Sequence, residues 1–282
     1  MRRGIVIGVP GVALATAGGL LAQLRHSANA PLPHFADLDP SGTYGRGPAT
    51  AVRLTVLGDS SMTGPGLDRS EHIWTARLAE RLAWTVELRS HAKGGSRARD
   101  VLERQLPAAL ENPPDLYVVA IGANDVIHAT PTRSYARQLD SILVQLASAA
   151  PVVTLGIGDL SLIPRLPRTL RPAVAHRSAM IDRTHKLVVA DLDRVHRVPV
   201  GRLSDPHFRA RGAELFAADL FHPNRQGHEL WAELFQPYVE RALLGHREHV
   251  IDLRPTPSRT CHRPAADSSS SSARLTSTPP RY

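Results

Sequence analysis

The sequence predicts a three-layer α/β/α domain with a central parallel sheet. Short runs rich in β-branched residues alternate along the chain with longer segments of helical periodicity, which is the pattern of repeated strand–helix–strand units. One run, at 116–121, is almost wholly apolar, as expected of a central parallel strand covered by helices on both faces. In such sheets, functional sites form at the carboxyl ends of the strands.

The strands are predicted from apolar runs that end at glycine or polar residues. The first, at 52–57, stops at Gly58, and a weak last run follows the third helix candidate. The helices are predicted from apolar residues at helical spacing, such as Ile73, Ala76, Leu78 and Leu82. The predicted strands are 52–57, 85–88, 116–121, 152–157 and, weakly, 198–203. The predicted helices are 73–82, 135–149, 180–195 and 225–244.

The first thirty residues have the pattern of an export signal or of an N-terminal membrane anchor. Arg2 and Arg3 precede a run without charge from residue 4 to residue 22, about the length that crosses a bilayer. The small residues Ala28 and Ala30 fit a cleavage site, whereas Pro31 disfavours cleavage there. Both alternatives stay open, and both place the body of the protein outside the cytoplasmic membrane, secreted or anchored to its outer face.

The rest of the chain divides by composition. Residues 31–50 are rich in Pro, Gly and Asp and are predicted to be a linker. Residues 51–253 hold the alternating strands and helices and form the predicted catalytic domain. Residues 254–282 carry a run of serines among Pro and Arg and are predicted to be a disordered tail, because such a segment buries too little apolar surface to offset its ordering entropy.

The net charge of +8 lies mainly at the two ends of the chain. Residues 1–30 carry three Arg and no acid, and residues 254–282 carry five Arg and one Asp, so the residues between them carry a net charge of only +1. The body therefore gives no support for nucleic-acid binding. A single cysteine, Cys261, excludes an intramolecular disulfide, and the lack of cysteine pairs excludes zinc-ribbon and iron–sulfur sites.

Four polar clusters follow predicted strands or precede the last predicted helix. The first strand runs into Gly-Asp-Ser-Ser at 58–61, the second is followed by Gly94, Gly95 and Ser96, and the third ends in Gly-Ala-Asn-Asp at 122–125. The fourth cluster is Asp-Leu-Phe-His-Pro-Asn at 219–224. Each cluster alone is a weak signal, and their order and spacing together are strong.

In this ordered set, residues 52–245 resemble the SGNH (GDSL) hydrolase family of serine esterases and lipases. The resemblance implies a flavodoxin-like α/β/α fold, a catalytic triad of Ser60, Asp219 and His222, and an oxyanion hole formed by Ser60, Gly95 and Asn124. Gly94 is an alternative register for the glycine. The first block reads Gly-Asp-Ser-Ser where the family pattern has Gly-Asp-Ser-Leu, which changes the surroundings of the nucleophile. No cofactor and no metal are implied.

The chemistry of an ester hydrolase requires these residue types. A serine hydroxyl is a weak nucleophile near neutral pH and needs a base such as His222 within hydrogen-bond reach. The i, i+3 spacing lets Asp219 hold the second ring nitrogen of that histidine. Attack on an acyl carbonyl creates an oxyanion, which the Ser60 and Gly95 amides and the Asn124 side chain would stabilise.

Each site residue also has a structural interpretation. Ser60 is a favourable helix N-cap, Gly95 and Asn124 suit tight turns, and Asp219 with His222 would serve as a capping pair before the last helix.

Other polar and aromatic residues are expected to be structural. These are Asp59 and Asp125, the histidines His128, His207 and His228, and the tryptophans Trp74 and Trp231, which are expected in the core. Residues 161–178 are predicted either as a flap over the site or as an ordinary basic surface loop.

The sequence therefore predicts an enzyme that cleaves carboxylic esters through an acyl-enzyme intermediate. The expected partner is a small-molecule or lipid ester, with membrane association through the N-terminal segment and no nucleic acid. The alternatives are a carbohydrate O-deacetylase or an acyltransferase acting on cell-envelope polymers. A further alternative is an envelope protein that binds without catalysis.

Overall fold

The computed structural model describes residues 35–47 and 51–252, which build a six-stranded sheet with helices on both faces. The strand order is β1-β3-β2-β4-β5-β6, and every neighbouring pair is parallel apart from β1 with β3. The α/β/α fold class is thus confirmed, with an antiparallel edge strand added to the parallel sheet. The strands are β1 Gly42–Tyr44, β2 Val52–Gly58, β3 Val86–Ser90, β4 Leu116–Ala120, β5 Val152–Leu155 and β6 Val195–Val198.

Nine α-helices are described in these residues. A π-helical turn, Val101–Gln105, joins the third to the fourth, and short 3₁₀ turns occupy Ser70–His72, Leu160–Leu162 and Gly212–Leu215. The helices are α1 Ser60–Thr63, α2 Trp74–Arg81, α3 Ala98–Asp100, α4 Leu106–Glu111, α5 Ala123–Ile127, α6 Thr132–Ala149, α7 Arg171–Val189, α8 Val200–Arg211 and α9 Arg225–Asp252. Within the described part of the chain, none of them combines the length and apolarity needed to cross a bilayer.

The alternation of side chains along the strands divides the core into two layers. Leu116, Val118 and Ala120 of β4 pack on the face covered by α2 and α9, whereas Tyr117 and Val119 pack on the face covered by α6 and α7. All five residues are buried, which explains why this strand is apolar throughout.

Two predictions about individual elements are wrong in part. The strand predicted at 198–203 ends at Val198, because Pro199 lacks the amide that a ladder requires and α8 begins at Val200. The helix predicted at 180–195 lies earlier, at Arg171–Val189, and a turn with Arg194 at a positive φ of 62° separates it from β6.

The linker predicted at 31–50 contains a strand of the sheet. Gly42–Tyr44 pairs with β3, with Gly42 opposite Leu88, because the edge of β3 offers free backbone groups to any extended segment that reaches it. The predicted N-terminal segment 1–30 and the predicted tail 254–282 lie outside the described residues.

The carboxyl end of β2 lies at the point where the strand order reverses. The chain passes from β2 outward to β3 and then returns to β4 on the other side of β2. Ligand sites of open α/β sheets form at such switch points. Gly58, the last residue of β2, lies opposite Ala120 of β4, and a Cβ atom at Gly58 would lie 2.2 Å from the Ala120 carbonyl oxygen.

The buried side chain of Gln105 completes the hydrogen bonding of Gly58. Its Oε1 accepts from the Gly58 amide at 2.9 Å, and its Nε2 donates to the Gly58 carbonyl oxygen at 2.9 Å. Nε2 also donates to Ser96 Oγ at 3.1 Å. This single side chain therefore connects the end of β2 to the turn that follows β3.

We expect Gln105→Leu to lower the free energy of unfolding by about 1–3 kcal/mol, because it leaves the buried Gly58 amide without its acceptor. Urea unfolding of the two proteins measures the difference. Gln145→Leu is the matched control, since Gln145 is exposed on α6 and its side chain donates to Ser141 of the same helix. Equal stability of the Gln105→Leu variant and the wild type would contradict this assignment.

Candidate active site

Ser60 stands at the carboxyl edge of the sheet, directly after the turn that ends β2. Asp59 caps the short helix α1, with its Oδ1 accepting a hydrogen bond from the Ser61 amide at 2.9 Å. Ser60 is the first residue of that helix, so the N-cap is Asp59 and not Ser60. This arrangement leaves the Ser60 side chain half-exposed on the wall of a cavity.

Asp219 is buried and forms a hydrogen-bonded pair with the partly exposed His222. His222 Nδ1 lies 2.7 Å from Asp219 Oδ2, and Asp219 Oδ1 accepts from the amides of Phe221 and His222 at 2.9 and 3.0 Å. Leu220 between them has a positive φ of 55°, which curls the backbone around the carboxylate. Burial acts to raise the pKa of Asp219, and these hydrogen bonds outweigh it, so that its pKa lies below the usual value.

Backbone contacts hold this turn on the start of α9. The Ala217 amide donates to the His222 carbonyl oxygen at 2.7 Å, and Asn224 Oδ1 accepts from the Gln226 and Gly227 amides at the helix terminus. Asn224 Nδ2 donates to Glu214 O and Phe216 O at 2.8 and 3.1 Å. The capping role in this block thus belongs to Asn224, which leaves the side chains of Asp219 and His222 to each other.

Asn124 lies in the first turn of α5, after β4. The turn starts at Gly122, whose φ is 129° and where a Cβ atom would lie 2.6 Å from Ile157 Cδ1. Asn124 Nδ2 donates to Ser96 O at 3.1 Å and lies 3.5 Å from Asp59 Oδ2. One amide hydrogen is therefore fixed by Ser96, and the second makes only this long contact.

Gly95 lies at an exposed turn after β3 with a φ of 76°. Within the described residues, its amide donates to no protein acceptor. Gly94, the alternative register, differs because its amide donates to Asp37 Oδ2 at 3.1 Å. Gly95 is therefore the residue of this turn with a free donor.

The structure brings Ser60, Asn124 and His222 to the wall of one cavity of about 160 Å³, with Asp219 behind the histidine. Gly95 is not among the residues that line this cavity. An apolar cavity of about 150 Å³ in another protein accepts benzene, so the volume suits a short apolar group. The apolar residues on its wall include Ile127, Ile157, Leu160, Leu162, Ile163, Val200, Phe208, Phe216, Phe221, Trp231 and Phe235.

Two carboxyl groups on the cavity wall have raised pKa values. Burial raises the pKa of Asp59 to about 6, against the hydrogen bond from Ser61 and the positive charge of His222. Burial also raises the pKa of Asp205 to about 6, although its carboxylate accepts from the Asp159 amide. Sequence patterns do not distinguish Asp205, because no motif surrounds it and α8 was not predicted.

The remaining structural predictions are largely confirmed. Asp125 is fully buried and accepts from the Ala98 amide at 3.0 Å, and Trp74 is in the core. His128 and His207 are exposed, whereas His228 is buried.

The segment predicted as a flap, 161–178, borders the cavity through Leu162 and Ile163. The second half of this segment is the start of α7. Whether residues 161–178 move over the site stays a prediction.

The buried His228 acts as a neutral hydrogen-bond acceptor next to the helix that follows Ser61 and its neighbours. Its Nδ1 accepts from the Trp74 amide at 3.2 Å, and Trp74 Nε1 donates to Ser61 O at 3.1 Å. Burial, reinforced by the charge of His222, lowers the pKa of His228 to about 3.

The chain is similar to one known protein family and to individual members of it. The sequence profile of the GDSL-like Lipase/Acylhydrolase family matches residues 56–230, which include all five predicted site residues. The chain is 30% identical over 281 residues to the GDSL-like esterase Rv1075c of Mycobacterium tuberculosis, with 88% of each protein covered.

Solved structures of the same fold include TesA and an esterase, EstA, from Pseudoalteromonas sp. TesA matches with a TM-score of 0.56 at 23% identity, over 67% of this chain and 99% of its own. EstA matches with a TM-score of 0.53 at 16% identity, over 68% of this chain and 98% of its own, and was inhibited by monoethylphosphonate. At these identities, the two structures establish the fold alone.

We expect His228→Asn to reduce the loss of stability in acid. The folded wild type resists protonation of His228 down to about pH 3, whereas an unfolded histidine takes up a proton near pH 6.5. The stability that His228 contributes is therefore complete above pH 6.5 and is lost as the pH falls. Between pH 7 and pH 5 the wild type should lose about 2 kcal/mol more than the variant.

Denaturant unfolding across this pH range measures the effect, with His207→Asn as the control because that histidine is exposed on α8. Asn retains an oxygen able to accept from the Trp74 amide, and the loss of the ring contact with Trp231 lowers stability equally at every pH, so the pH dependence reports the titration. Identical pH dependence of His228→Asn and the wild type would refute a neutral buried His228.

Proposed function

Because the chain belongs to the GDSL-like lipase/acylhydrolase family and is thus a carboxylic ester hydrolase, we propose that it works through an acyl-enzyme formed on Ser60. The observation that carries this proposal is the hydrogen-bonded Asp219–His222 pair, whose histidine lines the same cavity as Ser60. In this pair, an anionic Asp219 accepts the Nδ1 proton of His222, which leaves Nε2 free to accept a proton.

The proposed reaction proceeds in two halves. His222 Nε2 takes the proton from Ser60 Oγ as that oxygen bonds to the acyl carbon, and the imidazolium is stabilised by Asp219. Collapse of the tetrahedral intermediate breaks the ester bond, and His222 returns the proton to the leaving alcohol. A water molecule then attacks the acyl carbon as His222 takes its proton. Collapse of the second tetrahedral intermediate breaks the bond to Ser60 Oγ, and His222 returns the proton to that oxygen as the acid leaves.

Three donors are proposed to stabilise the oxyanion. They are the amides of Ser60 and Gly95 and the Asn124 amide hydrogen that makes only the long contact to Asp59. The free amide of Gly95 supports this role and favours Gly95 over Gly94. Removal of one oxyanion donor costs on the order of a hundredfold to a thousandfold in rate.

The cavity supports a substrate with an apolar acyl group. Its walls are mainly aliphatic and aromatic, and such a surface stabilises an acyl chain by removing it from water. A carbohydrate acetate would leave most of these walls unused, so we place an aliphatic or lipid ester ahead of O-deacetylation. Acyl transfer to an envelope polymer uses the same triad, and analysis of the products with and without an added acceptor alcohol separates it from hydrolysis.

We also propose that the protein acts outside the cytoplasmic membrane. The proposal rests on the Arg pair and the uncharged run at 4–22. Fractionation of expressing cells tests the location, and mass measurement of the exported protein distinguishes a cleaved signal from a retained anchor. Recovery of the full-length protein in the cytoplasm alone would overturn it.

We expect Ser60→Ala to abolish hydrolysis of short p-nitrophenyl esters, because no acyl-enzyme forms without the hydroxyl. A fluorophosphonate should label the wild type at Ser60 and leave Ser60→Ala unlabelled. The adjacent Ser61→Ala is the matched control and should retain activity and labelling. Turnover by Ser60→Ala at the wild-type rate would end the assignment of the nucleophile.

We expect Val200→Phe to shift the preference towards short acyl chains, because the larger side chain fills the cavity. The ratio of kcat/KM for an octanoate ester to that for an acetate ester should fall by about tenfold or more. Val144→Phe is the control, since Val144 is exposed on α6. An unchanged ratio would show that the acyl chain binds elsewhere.

A further inference from the structure

The segment before β2 makes a polar contact with the loops of the active site. The Asp37 carboxylate accepts from Thr63 Oγ1 at 2.8 Å through Oδ1 and from the Gly94 amide at 3.1 Å through Oδ2. Lys93 Nζ lies 3.1 Å from Oδ2. The backbone continues this connection, with the Leu38 amide donating to Thr63 O at 2.9 Å.

The partners of Asp37 flank two of the proposed oxyanion donors. Thr63 is the last residue of α1, the four-residue helix that begins with Ser60. Gly94 directly precedes Gly95 in the turn after β3. One carboxylate therefore connects the backbone segments that supply the Ser60 and Gly95 amides.

The Asp37 carboxylate occupies the space that a side chain at Gly94 would need. A Cβ atom at Gly94 would lie 2.4 Å from Asp37 Oδ1 and 3.2 Å from its Cγ, and the three nearest atoms all belong to Asp37. The φ of Gly94 is not in the left-handed region, so its backbone conformation does not require glycine. Glycine at this position thus makes room for the carboxylate.

The other side of the same turn is already held. Ser96 is buried, its Oγ accepts from Gln105 Nε2, and its carbonyl oxygen accepts from Asn124 Nδ2. Gly95 itself has open space around the position of a Cβ atom. At Gly94 the turn is held by Asp37, next to the Lys93 amide, which donates to the Gly58 carbonyl oxygen at 3.1 Å.

We propose that Asp37 is a positioning residue that sets the separation of the Ser60 and Gly95 amides for the oxyanion. This inference rests on the proposed serine mechanism and extends it to a residue outside the four sequence blocks. Asp37 does not touch the reacting atoms and acts through Thr63 and Gly94. Misplacement of a catalytic group by about 1 Å costs on the order of a hundredfold in rate.

The test is steady-state kinetics of the full chain with a short p-nitrophenyl ester. Asp37→Ala should lower kcat by about tenfold to a hundredfold, with KM within about twofold of the wild type, because the oxyanion forms only after binding. Asp37→Asn retains one acceptor oxygen and should give an intermediate kcat. Asp39→Ala is the matched control, because Asp39 lies in the same segment and bonds only to Ser41.

A second variant tests the link to the turn directly. Gly94→Ala should lower kcat in the wild type, where the new Cβ meets Asp37, and should cause no further loss in the Asp37→Ala background. This non-additivity is expected only if the two residues act through one contact. It also keeps the test valid if Asp37→Ala loses some stability.

The results that overturn the proposal are distinct from failure of the proposed function. A wild-type kcat for Asp37→Ala, an equal loss for Asp39→Ala, or additive losses for Asp37→Ala and Gly94→Ala would each refute positioning by Asp37. Failure of the serine mechanism would instead appear as an active Ser60→Ala variant or as a wild type that no fluorophosphonate labels.

Discussion

The carboxyl edge of the sheet depends on the close approach of Gly58 to the carbonyl oxygen of Ala120. No side chain fits between these two strands at that level, so β2 and β4 end side by side, and the loops that follow them start at the same height. Ser60 and Asn124 both derive their positions from this approach. Gln105 then satisfies the polar groups of Gly58. The positions of the loops at this edge therefore depend on a steric constraint between two backbones.

The two aspartates of the site show how hydrogen bonding decides the charge of a buried carboxyl group. Asp219 and Asp59 are both buried. Asp219 accepts from two backbone amides and contacts His222, and its pKa is lowered, whereas burial dominates at Asp59 and raises its pKa to about 6. An anionic Asp219 is what a histidine base requires. Two aspartates, one residue before Ser60 and three residues before His222, therefore have pKa values shifted in opposite directions.

The site combines polar connections with an apolar cavity. The turns around Ser60, Gly95 and Asn124 are held by backbone and side-chain hydrogen bonds, and the apolar wall of the cavity is formed mainly by residues from α8, α9 and the segment before α7. The polar part is expected to be rigid because a half-satisfied buried network is costly. The apolar part sets the shape of the cavity, and apart from Phe221 its aromatic residues lie outside the four sequence blocks.

The sequence by itself determined the strand–helix alternation, the central strand β4 and the order of the four polar blocks, because apolar runs and short motifs are local properties of the chain. The tertiary structure alone decided the edge strand Gly42–Tyr44, the helix α8 and the roles of Asp37 and Gln105. Asp37 contacts Gly94 over a separation of 57 residues, and Gln105 contacts Gly58 over 47. A lone carboxylate or amide has no periodicity that marks its partner, so its function becomes visible only when folding brings the two segments together.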